Sequence, residues 1–149
     1  GRSDAEMTAL RRGLGEYFFV KTRATRDGDV LTKLAPHDTH REHKRAWASL
    51  RQAIGQAPSR PTVVITHHAP SYLGLNPRFR GNGLDAAYAS SRDSEIATFE
   101  NVPVWVHGHT HIAKTYRIGG TIVRTNARGF VSKGQGVLDF SVKSHFEIG

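Results

Sequence analysis

The chain has 149 residues, 38% of them apolar, with 21 Lys and Arg against 13 Asp and Glu and no cysteine. That size and hydrophobicity suit one globular domain with its own core and argue against a disordered tail. A chain without cysteine has no disulfide framework and no thiolate metal site, so any metal must be held by imidazole and oxygen.

Residues 4–14 carry Met7, Leu10 and Leu14 at helical spacing, which predicts a short helix with one buried stripe. Tyr17 to Arg23 and Val30 to Leu34 are β-rich runs around Arg26-Asp27-Gly28-Asp29, a hairpin signal that predicts a β-ribbon. Pro36 ends the second run, and Asp38 or Thr39 is positioned to cap a helix over about residues 39–57, whose stripe is Trp47, Leu50, Ile54 and Ala57. Pro61 to His67 is an unbroken apolar run of strand length, as expected for a strand covered on both faces. It delivers His67-His68-Ala69-Pro70. A Gly-, Pro- and Asn-rich loop over residues 71–83 and two helix-like segments, Leu84 to Ser90 and Asp93 to Phe99, follow.

Val102 to Val106 predicts a second buried strand, ending in His107-Gly108-His109-Thr110-His111. Tyr116 to Arg124 turns at Gly119-Gly120 as a hairpin, and Gly136 to Val142 and Ser144 to Ile148 predict two more strands. This order places the chain in the α/β class, as a layered sandwich with residues 1–149 forming a single domain. No stretch reaches the roughly 20 apolar residues that cross a bilayer, and Gly1 to Glu6 lack a signal-peptide pattern, which predicts a soluble, cytoplasmic chain without a membrane partner. The formal charge of +8 favours anionic partners. Its even spread reads as a solvated basic surface ahead of a nucleic-acid footprint, so nucleic acid stays open as a partner. Gly1 stands where an initiator would, and the sole methionine, Met7, lies in the first helical stripe, which predicts a truncated or processed chain.

Five of nine histidines fall in two clusters at strand ends, where open α/β sheets place their ligand sites. In an extended segment residues i and i+2 share a face, so His109 and His111 should sit side by side, with Gly108 permitting close approach. Such a pair alone is a weak signal, and hydrogen-bonded histidines are commoner than ligands. His67 would supply a third imidazole. Alternation along the strand places His107 beneath the site as a packing or hydrogen-bonding residue.

Taken together, Pro61-Thr-Val-Val-Ile-Thr-His-His-Ala-Pro-Ser71 and Trp105-Val-His-Gly-His-Thr-His111 resemble the last two metal motifs of calcineurin-like metallophosphoesterases. Leu84 to Ser90, Tyr116 to Thr121 and Thr125 to Phe130 are similar to segments of bacterial members, so the resemblance runs from about residue 14 to the end. It implies the C-terminal half of the family's α-β-β-α sandwich and a metal-dependent phosphatase activity on phosphate esters. It also implies that His67 and His109 bind one of two divalent metals, Mn, Fe or Zn, and His111 the other. By the same resemblance His68 is the candidate catalytic residue, in contact with substrate or supporting its loop, and Arg128 is a minor candidate for phosphate.

The family's acidic motifs are missing. Asp38-Thr39-His40 spells Asp-x-His but sits at a helix start, Asp29 precedes it in the wrong order, and Gly81-Asn82-Gly83 lacks the histidine that should follow Asn. A bridging carboxylate offsets the charge of two divalent ions and fixes their separation, so the chain alone is expected to be a poor catalyst that needs a complementing N-terminal half. The competing reading is a non-catalytic domain of the same fold that binds a protein or nucleic-acid partner.

Overall fold

The computed structural model describes residues 3–23 and 31–147 and divides the chain into two compact units, Gly1–Gln52 and Ala53–Gly149. In the first unit, helix α1 (Asp4–Gly13) opens on a reciprocal capping box in which Ser3 and Glu6 satisfy each other's backbone N–H groups, and it buries Leu10. The expected strand from Tyr17 is instead a helical turn, α2 (Glu16–Phe19), followed by β1 (Lys21–Arg23). Local bonding overrides the β-propensity of Tyr17-Phe18-Phe19. The amides of Phe18 and Phe19 donate to the Gly15 carbonyl, and the Tyr17 hydroxyl shares a 2.9 Å hydrogen bond with Thr39.

Strand β2 (Leu31–Lys33) pairs antiparallel with β1, Lys21 opposite Lys33, while the Asp-Gly turn and Val30 lie outside the described residues. Helix α3 (Pro36–Gly55) starts earlier than the sequence pattern indicated, with proline in the first turn, where a missing N–H costs nothing. Asp38 is therefore inside the helix rather than its cap. Its carboxylate reaches back to the Ala35 N–H at 3.0 Å and pairs with Arg41 at 2.7 Å. Burial opposes its charge, but the Ala35 N–H, Arg41 and His37 outweigh burial and hold its pKa below the ordinary value. Thr39 turns its hydroxyl to the Pro36 carbonyl.

The second unit is built on a four-stranded sheet in the order β3 (Val63–Thr66), β4 (Val104–His107), β6 (Thr121–Asn126), β5 (Ala113–Ile118). The first three strands are parallel, and β5 returns antiparallel to β6 through Gly119-Gly120. Gly119 takes a φ of 57°, and a Cβ there would fall 2.8 Å from Ala97 Cα, so the turn requires glycine. Between β3 and β4 the two predicted helices shrink to single turns, α4 (Asp85–Tyr88) and α5 (Asp93–Ile96). The chain after α4 instead bonds back to Ala69, through Ala69 N–H to the Tyr88 carbonyl and Ser90 N–H to the Ala69 carbonyl.

The two strands predicted after residue 135 are largely absent. Strands β7 (Gly129–Phe130) and β8 (Gln135–Gly136) form a small ribbon, and residues 137–147 contain no strand. Side chains of β6 take the place of a ladder. Asn126 accepts from Ser141 N–H and donates to the Ser141 carbonyl, and Arg124 donates to the His145 carbonyl at 2.7 Å.

Strand β3 is covered on one face only, contrary to expectation, although Val104 is buried on the opposite face of its neighbour β4. Val64, Trp105 and Val123 lie side by side in register on the buried face, Trp105 at 1% and Val123 at 0% exposure. One row along, on the opposite face, Ile65 is 76% exposed beside half-buried Val106 and Arg124. The prediction is a sharp asymmetry. Val123→Ala should cost about 2–3 kcal/mol in urea unfolding, whereas Ile65→Ala should stay within about 0.5 kcal/mol. Equal losses would mean that both faces are packed.

Candidate functional site

Parallel pairing sets Thr66 of β3 opposite His107 of β4, so the two histidine-bearing segments leave the sheet next to each other. A hydrogen bond across the gap joins them, from Gly108 N–H to the His67 carbonyl at 3.1 Å. Beneath it runs a polar relay. Trp105 Nε1–H donates to Thr66 Oγ1 at 3.0 Å, and that hydroxyl donates to the His68 carbonyl at 2.8 Å, which pins the end of β3 from inside the sheet. The loop beyond is fixed by buried Ser71, whose hydroxyl donates to Asp93 at 2.7 Å and accepts from Leu73 N–H.

Three imidazoles meet above this frame. Ring centroids are 5.1 Å apart for His67 and His68, 4.8 Å for His67 and His109, and 4.6 Å for His68 and His109. The Ala69–Ala89 bridge brings Tyr88 alongside, its ring stacked on His109 at 4.8 Å. His111 meets Phe130 edge-on at 4.7 Å. Burial is the main force holding His109 uncharged, with His68, His67 and His111 adding repulsion, so its pKa drops to about 4. His68 is lowered by burial and then by His67. His68 and His109 therefore present neutral imidazoles with available lone pairs at neutral pH.

The segment beyond β4 that carries His109 and His111 is not an extended strand. His109 and His111 have φ values of 63° and 47°, so the segment is curled, and the alternation argument that paired them does not apply. Gly108 is not demanded by close contact either, because a Cβ there would sit 3.8 Å from the nearest atom, the His67 carbonyl oxygen, at ordinary van der Waals distance. His68 is closer to His109 than sequence spacing implied. His107 is buried beneath the site at 3% exposure, with Nε2 3.2 Å from the Tyr116 hydroxyl. Burial first, and Asp93 second, push the Tyr116 pKa up, so that hydroxyl keeps its proton. Tyr88, Tyr116 and Phe130 had no role in the sequence reading, although hairpin parity around Gly119-Gly120 already put Tyr116 opposite Val123.

Neutral imidazoles are suitable donors for Mn, Fe or Zn. Among the described residues, however, no group of three or more His, Asp or Glu is arranged to hold a metal ion, so no carboxylate joins the rings in such a group. The donor chemistry fits and the donor set is incomplete.

The sequence model of the calcineurin-like phosphoesterase family matches residues 6–113. That span starts before residue 14, where the motif resemblance begins, and includes both histidine clusters but leaves out the hairpin from Lys114 onward. The chain is similar to the uncharacterized protein L509 of Acanthamoeba polyphaga mimivirus, 25% identical over 138 residues that make up 86% of this chain and 46% of that protein. It thus spans about half the length of the curated relative it matches. No solved structure matches it significantly.

Depressed histidines couple stability of the metal-free chain to pH. An unfolded His109 protonates near its ordinary value of 6.5, while the folded one resists until about 4. Its stability contribution is full above pH 6.5 and is lost as pH falls from there toward 4, because only the unfolded state takes up the proton. His68 and His107 shift the same way and add to the slope. Thermal melts of the metal-free chain should show Tm falling across this window, with a shallower fall in His109→Gln. Identical slopes for the two proteins would refute the coupling.

Proposed function

Because the chain belongs to the calcineurin-like phosphoesterase family, we propose that residues 1–149 form one domain, the C-terminal part of a metal-dependent phosphate-ester hydrolase. His67, His109 and His111 are its nitrogen ligands for two divalent ions. The observation that carries this reading is the convergence of His67, His68 and His109 from two strand ends, with ring centroids 4.6–5.1 Å apart and His109 kept neutral by burial. Bound Mn, Fe or Zn would supply Lewis-acid polarisation of the phosphoryl oxygens and activation of water.

What the chain's own residues contribute follows from their surroundings. His67 and His109 meet across the two strand ends and form the natural pair for one ion, while His111, held against Phe130, is left for the other. His68 is neutral and lies against both His67 and His109, so it is placed to offer a ring nitrogen to substrate rather than a charge. The carboxylates that would bridge and neutralise the ions are assigned to a complementing N-terminal half.

A second reading has one observation in its favour: no metal-holding group is assembled among the described residues of a chain carrying a charge of +8. On that reading the domain is non-catalytic and its basic surface binds a protein or nucleic acid. Three clustered imidazoles, two of them with lowered pKa values, serve no purpose in such a scaffold, which favours the hydrolase.

The test uses p-nitrophenyl phosphate with Mn²⁺. The 149-residue chain should bind the metal weakly and turn over barely or not at all, and supplying the acidic motifs in the longer protein should restore hydrolysis. There His109→Ala should remove several kcal/mol of transition-state stabilisation, about a 100-fold or greater loss in kcat/KM. His145→Ala, at an exposed ring near the C-terminus, should leave the rate unchanged. Robust turnover by residues 1–149 that survives His109→Ala would place the chemistry on other residues.

A further inference from the structure

The segment carrying His109 holds an uncommon backbone conformation. Thr110 N–H donates to the Gly108 carbonyl at 2.7 Å, closing a three-residue turn around His109, whose φ is 63°. A γ-turn with a positive central φ is the rare and strained form, and for a residue with a Cβ such a conformation costs roughly 1–3 kcal/mol unless its surroundings over-determine it. A histidine so held, at the centre of the ring cluster, implies supports that outweigh the strain.

Those supports converge on Gly108. Its carbonyl accepts from Thr110 N–H, from the Thr110 hydroxyl at 3.4 Å and from His107 Nδ1 at 3.0 Å. Its N–H is fixed by the His67 carbonyl. An imidazole that donates from Nδ1 while neutral must accept at Nε2, and the group facing Nε2 is the Tyr116 hydroxyl. Packing closes over the pair. The turn at Tyr72–Gly74 lies directly on it, and a Cβ at Gly74 would fall 2.7 Å from the Tyr116 hydroxyl oxygen and 2.8 Å from His107 Nε2. Lys114 Nζ anchors that turn from β5 through the Leu73 carbonyl at 2.8 Å.

We infer that Tyr116 and His107 are positioning residues: the Gly108 carbonyl, an acceptor only, takes the Nδ1–H of His107, the Tyr116 hydroxyl donates to Nε2 and holds the ring in that orientation, and the grip on Gly108 holds the strained turn that presents His109. The relay acts through the backbone and touches neither substrate nor metal. It deepens the proposed metal site and rests on that reading only for its effect on metal binding, since the tautomer and the turn belong to the metal-free chain.

Three variants of the 149-residue chain test it. Long-range proton–nitrogen correlation spectra should show wild-type His107 as the Nδ1–H tautomer, with the amide–Hα coupling of His109 reporting its positive φ. Tyr116→Phe leaves Nε2 without its donor and frees the ring to turn away from Gly108, so it should change that coupling and weaken Zn²⁺ binding about 10-fold, the scale of an outer hydrogen-bond partner of a metal ligand. His107→Asn places an amide N–H where Nδ1 was, so it should retain Zn²⁺ affinity within about 3-fold, whereas His107→Gln reaches toward Tyr116, loses the grip on Gly108 and should fall about 10-fold. A packing role predicts the reverse order, because Gln fills the larger volume. The relay is overturned if His107→Gln binds Zn²⁺ as well as His107→Asn, or if Tyr116→Phe leaves the His109 coupling unchanged. Absence of Zn²⁺ binding by the wild-type chain would sink the metal reading instead, and the tautomer and coupling would still decide the relay.

Discussion

Two parallel strands in register, Thr66 opposite His107, and the single hydrogen bond from Gly108 N–H to the His67 carbonyl that continues their ladder past the sheet are the constraint on which the site rests. Parallel strands point their C-terminal ends the same way, so residues some forty positions apart in sequence leave the sheet as neighbours. A slip of one residue would turn Trp105 and His107 to the opposite face and remove both the Thr66 relay and the Tyr116 contact. Burial of Val64, Trp105 and Val123 on one face guards against that slip, so the packing of the sheet and the placement of the imidazoles are one requirement.

The electrostatic character of the cluster follows from the same geometry. Histidines at centroid separations under about 5 Å disfavour one another's protonation, but burial is the larger cause for both His68 and His109. Tyr88 stacked on His109 and the Ala69–Ala89 bridge supply part of that burial. Lowered proton affinity at His68 and His109 leaves a cation, rather than a proton, as the favoured guest of those two rings.

Features written in local pattern were legible in the sequence. The two histidine-terminated strands, the hairpin at Gly119-Gly120 and the helix bearing Trp47 and Ile54 are encoded by apolar runs, turn residues and helical spacing within a few positions. Features set by tertiary pairing were not. The apolar run at Val63–Thr66 looks the same whether one face or two are covered, and Ile65 is the residue that tells them apart. His109 and His111 looked like an extended pair because nothing local announces that Gly108 accepts from three donors and curls the chain. The C-terminal alternation resembled strands, yet Asn126 and Arg124 bind that backbone through side chains instead. Tyr116 shares a face with His107 only because β4 and β5 both pair with β6, a neighbourhood invisible to any sequence window.

Among the described residues strand β3 ends the sheet order, and its outward row carries Ile65 at a position open to water. A terminal strand offers unpaired N–H and C=O groups to any extended chain that approaches, and an apolar side chain beside them adds affinity without selectivity. Natural edges are usually blunted by lysine, proline or a bulge, and Val63-Val64-Ile65-Thr66 has none of these. The positive charge of the chain is then its main colloidal defence, acting by repulsion between copies. Salt screens that repulsion over about 8 Å at physiological ionic strength, so the same concentrated buffers that quiet most basic proteins would bring these edges together.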